Sequence, residues 1–384
     1  MRRIVELDGI RALAVGLVIL DHYAPFRHFA HYAPARFGGI GVDVFFVLSG
    51  FLITSILLRS KHEPHPYKVF YARRSVRIFP AFILLLVFVY GAGALLGEPF
   101  ETKKFVAQAL FLRSFKGSGA VIHGTLAMLA HPWTTAGLFQ FRQPVTPPYD
   151  YGRLPMSASL GPTWSLSVEE WFYFLWAPIV LLLSRRKIVI VSLVFCMLGL
   201  LFRWTSLGQT TFLTSLDVLV VGALLALWRD HRSSLEAPTV ARLDLGISAL
   251  ALIAAIGWTA VTWFHRDLIS LTLLEIVVFG CFAWLLRHNG GKNPIAVLLR
   301  WQPLLYIGSI SYMIYLIHLP LYFLVRHAVD VYGTTLMQPA QEWIIAIASA
   351  ILALIFAAAS WRFYEEPILR RKESMTRRLR AEPQ

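Results

Sequence analysis

Arg11 and His22 fall in one apolar N-terminal segment and are eleven residues apart. On an α-helix that spacing is three turns plus about 20°, so both side chains share a face, about 16 Å apart along the axis. A guanidinium within a membrane helix is costly unless it faces a polar interior. An imidazole titrates near working pH and suits general acid–base chemistry. The pair therefore marks a polar path from mid-membrane to one surface. Further carboxylates cluster on the same side as His22: Asp21 and Asp43, then Glu169 and Glu170, Asp217 and Glu275. His318 adds a second imidazole, and together these groups make a candidate acid–base constellation.

A different chemistry gathers on the opposite side. The segment RSKHEPHPYKVFYARRSVR holds six of the Lys and Arg residues between positions 59 and 77. Arg74 and Arg77 are three apart, so on a helix they share a face and can grip one anion. Arg73 adds a neighbouring cation, and the patch suits a polyanionic cytosolic ligand such as a nucleotide-bearing cofactor. Plainer explanations compete at each place. The basic loop could serve as a topology signal alone. Ser167 and Glu170 fit the spacing of a helix capping box. His318 could be a hydrogen bonder between helices. His123 and His131 read as loop or interface residues, and the Trp and Tyr residues around 164–176 as an interfacial belt.

These groups must be positioned by membrane helices. The chain has 384 residues, of which 57% are hydrophobic and 15% charged, with a mean hydropathy of +0.60. Soluble domains carry about 25% charged residues, so the expected fold is an all-α polytopic membrane bundle. Ten segments have membrane-crossing length: 5–23, 41–59, 77–97, 165–184, 188–206, 211–228, 244–263, 268–287, 304–325 and 343–363. The first is expected to be a retained span rather than a cleaved signal, because Asp8 and Arg11 interrupt it. With the N-terminus inside, the inner segments hold 24 of the 36 Lys and Arg, which places both termini in the cytoplasm. The net charge of +14 follows the loops in this way and argues against a nucleic-acid partner. Residues 120–139 are expected to form a surface or re-entrant hairpin, since a lone crossing would invert every later loop. Residues 1–369 read as the transmembrane domain and 370–384 as a basic tail, mobile or bound at the membrane surface. Two Cys in apolar segments give no disulfide framework, and no metal site is expected.

Five segments, LDGIRALAVGLVILDH, GGIGVDVFFVLSGFLITSILL, FYARRSVRIFPAF, PTWSLSVEEWFYF and ISYMIYLIHLPL, resemble the integral-membrane acyltransferase 3 family in order, spacing and wording. The resemblance covers essentially the whole chain and matches the stand-alone form, without a fused esterase-like domain. It implies ten helices in the bacterial inner membrane. It also implies transfer of an acyl group, often acetyl, from cytoplasmic acyl-CoA to a hydroxyl of an extracytoplasmic glycan or related acceptor. The family's arginine–histidine motif falls on Arg11 and His22, and its arginine pair, thought to contact the CoA phosphates, on Arg74 and Arg77. Asp43 and the Ser-Leu-Ser-Val-Glu-Glu stretch fall on its other polar positions. On that basis His22 is expected to be the base, Asp43 or Glu169 to orient it, and Arg11 to face the thioester or line the channel. The alternative from another class is a transporter of an acidic metabolite or of a proton-coupled substrate. Such proteins often show internal repeats with broken helices, and neither is evident here.

Overall fold

The computed structural model describes residues 4–23, 37–115, 155–205, 211–232, 235–263, 267–288, 290–291, 293–332 and 338–381, and no strand occurs among them. The principal helices are α1 Glu6–His22, α2 Phe37–Ser60, α3 Pro66–Leu95, α4 Thr102–Ala109, α5 Thr163–Leu182, α6 Arg185–Thr205 and α7 Leu216–Arg232. They continue with α8 Ala237–Trp263, α9 Asp267–Arg287, α10 Pro294–Leu299, α11 Gln302–Tyr332, α12 Gln338–Ser360, α13 Glu366–Arg370 and α14 Lys372–Ala381. A π-helical turn over Trp361–Glu365 joins α12 to α13.

Among the described residues, six helices are long and apolar enough to cross a membrane: those at Gly39–Ser60, Pro66–Leu95, Thr163–Leu182, Ala237–Gly257, Gln302–Tyr332 and Ala340–Arg377. The other four expected spans are helical as well, as α1, α6, α7 and α9, with α1 and α7 at 17 residues each. The expected hairpin at 120–139 lies outside the described residues.

The elements pack in a definite order. α1 lies between α2 and α11, α11 carries α12 on its other side, and α2 packs on α7, which packs on α6. Glycine makes two of these seams possible. A Cβ on Gly50 of α2 would collide with the Leu219 carbonyl of α7, and one on Gly222 of α7 with the Val47 carbonyl of α2. On α11, a Cβ on Gly308 would strike the Asp8 carbonyl of α1. Association within lipid depends on close backbone approach rather than on hydrophobic burial, so small residues sit where helices touch.

Three local expectations are corrected. The third span starts at Pro66, not near 77. Proline at the first helical position pre-sets the backbone angle, and His65 before it turns through the left-handed region at φ 48°. The basic segment is therefore largely helix, and Arg74 lies more than two turns inside it. Second, Ser167 is no cap: α5 begins at Thr163, and the Ser167 hydroxyl donates back to the Thr163 carbonyl at 3.2 Å. Third, residues 372–381 of the tail form a helix docked on α3. Arg73 Nε donates to Thr376 Oγ1 at 3.2 Å, and Arg380 Nη2 meets Glu63 Oε2 at 2.5 Å.

Candidate functional site

Three arginines from two helices converge on one cavity of about 130 Å³. Arg11 reaches it from α1, and Arg74 and Arg77 from α3; Glu169 and Tyr173 of α5 and Ser49 of α2 line it too. Its remaining wall is mostly apolar and aromatic, with Phe45, Phe46, Tyr312 and Tyr315 among the lining side chains, joined by Ser165 and Ser311. Each cation is held differently. Arg11 Nη1 pairs with Asp8 Oδ1 at 2.8 Å, one turn earlier on the same helix. The Arg74 guanidinium lies 4.3 Å from the Tyr173 ring centroid, and its Nε is buried without a hydrogen-bond partner. Arg77 stands over Trp361 at 5.8 Å. Cations resting on rings keep charge available while losing less to desolvation.

Glu169 supplies the counter-charge. Its Oε2 accepts from Ser49 Oγ at 3.0 Å and from the Tyr173 hydroxyl. The Ser49 and Tyr173 hydroxyl oxygens also lie in contact, so the three groups make a triangle between α2 and α5. Oε1 of the adjacent Glu170 is buried without a hydrogen-bond partner. The two acids thus face the arginines from the second turn of α5.

The imidazoles form a second group at the far end of α1. His22 and His318 meet edge to face, with ring centroids 5.1 Å apart. His22 Nδ1 is 2.8 Å from the Val18 carbonyl, and His318 Nδ1 is 2.7 Å from the Tyr315 carbonyl. A carbonyl only accepts, so Nδ1 carries the proton in both rings and Nε2 carries the lone pair of the neutral form. His318 is fully buried, and its Nε2 has no hydrogen-bond partner. Tyr23 fastens this corner: its hydroxyl donates to the His318 carbonyl at 3.1 Å, and its ring stacks on Tyr322 at 4.7 Å. The contact between His22 and His318 was not legible in the sequence, since the two residues lie far apart along the chain.

One aromatic side chain separates the groups. Tyr315 lines the arginine cavity and also packs on His318, with centroids 5.9 Å apart. Its hydroxyl is bonded to Ser165 Oγ at 2.6 Å and donates to the Pro162 carbonyl at 3.0 Å. His22 itself is not among the residues that line the cavity.

The remaining expected site residues sort as follows. Arg73 points away from the cavity to the tail helix. Glu169 is engaged by Ser49 and Tyr173, whereas the Val18 carbonyl holds the His22 ring. Asp43 exerts its charge on a buried cluster in which Arg203 of α6 bridges Asp217 of α7 and Glu275 of α9. The Arg203 Nη2 to Asp217 Oδ1 distance is 2.6 Å, and the three side chains are 11%, 0% and 6% exposed. Asp217 Oδ1 also accepts from the Val218 amide at 3.0 Å. Asp217 and Glu275, expected in the acid–base group, are thus bound in an ion triad that ties three helices together. No cluster suited to a metal ion occurs among the described residues.

A sequence model described as an acyltransferase domain matches residues 4–362. The peptidoglycan O-acetyltransferase OatA of Listeria monocytogenes is 27% identical over 94% of this chain and 55% of its own length. The O-acetyltransferase OatA of Staphylococcus aureus is 26% identical over 96% and 57%. A putative O-acetyltransferase of Staphylococcus aureus strain COL is 28% identical over 98% and 58%. The chain therefore spans a little over half the length of these relatives. No solved structure matches it. With the match running from the first turn before α1 to the end of α12, and taking in every side chain of the arginine cavity and the histidine pair, the chain belongs to the acyltransferase 3 family.

Proposed function

We propose that this multi-pass membrane O-acetyltransferase moves an acetyl group from cytoplasmic acetyl-CoA to a hydroxyl of a cell-wall glycan on the outer side of the bacterial inner membrane. The observation that supports it is the convergence of Arg11, Arg74 and Arg77 on one cavity, with an imidazole pair further along the helix that carries Arg11. In this reading all ten long helices span, and both termini are cytoplasmic. The diphosphate of the donor is held by the three arginines, with Glu169, Ser49 and Tyr173 keeping Arg74 in place. The pantetheine arm is about a dozen bonds long, roughly 15 Å when extended. That matches the axial separation of Arg11 and His22, about 16 Å.

The thioester then lies beside His22. Its Nε2 takes the proton of the acceptor hydroxyl while the oxygen attacks the thioester carbonyl carbon. The C–S bond breaks, the imidazolium returns the proton to the leaving thiolate, and an O-acetyl ester and free CoA result. The Val18 carbonyl fixes the ring and its tautomer, the role of the third member of a catalytic triad. A route through an acyl-histidine is the alternative chemistry within the same site.

Purified protein in lipid nanodiscs is tested with acetyl-CoA and peptidoglycan fragments, following free thiol and ester-linked acetate. Acceptor-dependent thiol release is the expected result, and His22→Ala at equal protein level lowers it by about 10²–10⁴. Movement of substrate without loss of thioester would instead assign the chain to transport. Full activity in His22→Ala would remove that ring from the chemistry.

A further inference from the structure

Two further cavities lie along α2 beside the arginine cavity. One, of about 300 Å³, is lined by Arg59, Lys61, His62, Arg185 and Asp230 with the apolar residues between them. The other, of about 190 Å³, is lined by Asp8, Arg11, Ser55, Arg59 and Arg229, among others. They are linked in sequence. Ser55 and Arg59 line both of these cavities, while Arg11 and Leu52 line the second and the arginine cavity alike. On α2 the shared positions run Leu52, Ser55, Arg59 at helical spacing, with Ser49 of the arginine cavity one turn before Leu52, so one stripe of a single helix lines all three. From Leu52 to Arg59 it covers about 10 Å.

The outermost cavity is strongly basic. Four cationic or titratable side chains face one carboxylate, Asp230. Arg185 is paired with Asp230 at 3.0 Å and donates to the Leu227 carbonyl at 2.9 Å. The Lys61 ammonium donates to the Val180 and Leu183 carbonyls, which fixes the charge at the C-terminal end of α5 without neutralising it. Arg59 and His62 are exposed at the mouth. Arg229, in the next cavity, rests 5.9 Å from the Phe51 ring rather than on an acid. Field lines from such a group concentrate in the cleft and favour a multiply charged anion.

We propose that this vestibule binds a phosphomonoester, the 3′-phosphate at the nucleotide end of the donor, with Arg59 and His62 as its principal contacts. The proposal rests on the acyl-CoA reading above and extends it. The diphosphate occupies the arginine cavity, and the ribose reaches back through the second cavity, where Arg11 and Arg59 face the same space. A separate grip on the terminal phosphate lets the protein select the full cofactor over shorter thioesters. A phospholipid headgroup offers similar phosphate chemistry from the inner leaflet. The nucleotide is favoured because the second cavity stands between the two, sharing Ser55 and Arg59 with the vestibule and Arg11 and Leu52 with the arginine cavity.

The test compares acetyl-CoA with acetyl-3′-dephospho-CoA on the full-length protein in nanodiscs of zwitterionic lipid. Loss of a charge-assisted contact raises KM for the dephospho donor about 10- to 100-fold in the wild type. Arg59→Gln with His62→Gln erases that difference by raising KM for acetyl-CoA alone, leaving kcat unchanged. Adenosine 3′,5′-bisphosphate competes with acetyl-CoA in the wild type more strongly than AMP does, a readout independent of any variant's folding. Equal KM values for the two donors, or a double variant that still discriminates between them, would overturn the vestibule assignment alone. A variant that keeps the discrimination but loses bound phosphatidylglycerol in native mass spectrometry would give the vestibule to lipid and overturn it as well. If the wild type consumes neither thioester, the acyl-CoA reading itself fails.

Discussion

Removing Arg203 tests whether the Arg203–Asp217–Glu275 cluster is structural or chemical. Arg203→Met keeps the length of the side chain and deletes the charge. It strands Asp217 and Glu275, which are 0% and 6% exposed and otherwise share that guanidinium. Breaking a buried ion pair from one side costs about 3–5 kcal/mol. The second orphaned carboxylate adds to this and protonation relieves part of it, so about 4 kcal/mol is the working figure. At roughly 2 °C per kcal/mol for a large chain, the apparent melting midpoint falls by about 8 °C. Size-exclusion chromatography of detergent-purified protein after graded heating measures it. Neutralising all three positions, as Arg203→Met with Asp217→Asn and Glu275→Gln, removes the stranded charges and recovers most of the loss, since a neutral replacement of a buried ion group is often tolerated. The recovered variant retains acetyl transfer. A midpoint unchanged in Arg203→Met, or a well-folded neutral variant without activity, refutes the structural assignment.

Replacing Arg74 and Arg77 together by Gln raises KM for acetyl-CoA by at least 10-fold, about 1.4 kcal/mol, and changes KM for the glycan much less. Steady-state kinetics with each substrate varied in turn separates the two. Gly50→Val places a branched side chain against the Leu219 carbonyl. It is expected to prevent accumulation of folded protein, read as loss of the monodisperse chromatographic peak, whereas Gly16→Ala, whose Cβ meets nothing within 4 Å, leaves it intact.

The helices were legible because their apolar runs are long, and α2, α5 and α11 fall close to their expected places. Their ends were read less well. Charge density put residues 59–77 into a loop, whereas Pro66 starts the helix there and carries Arg74 and Arg77 inward beside Arg11. The convergence of these three arginines depends on how α1 and α3 lean together, a tertiary fact that spacing along one helix does not contain. The same limit hid the partnership of His22 with His318, and hid Arg203 as the residue that claims Asp217 and Glu275. Glu169 and Glu170 were recognised as polar positions, but the apparent capping box around them dissolved once α5 proved to begin four residues before Ser167.

The tight seams around α1 bear on how the proposed transfer could be carried out within the bundle. Gly41 of α2 lies so close to the Ala14 carbonyl of α1 that a methyl there would clash, and Gly308 of α11 clamps the other flank at Asp8. A helix gripped on both flanks at backbone distance has little freedom to slide or tilt. Alternating access, which needs one half of a bundle to rock against the other, is a poor match for such a frame. Under the proposed reaction the frame around α1 stays fixed, and the donor is the part that moves relative to the His22 ring, which the Val18 carbonyl holds.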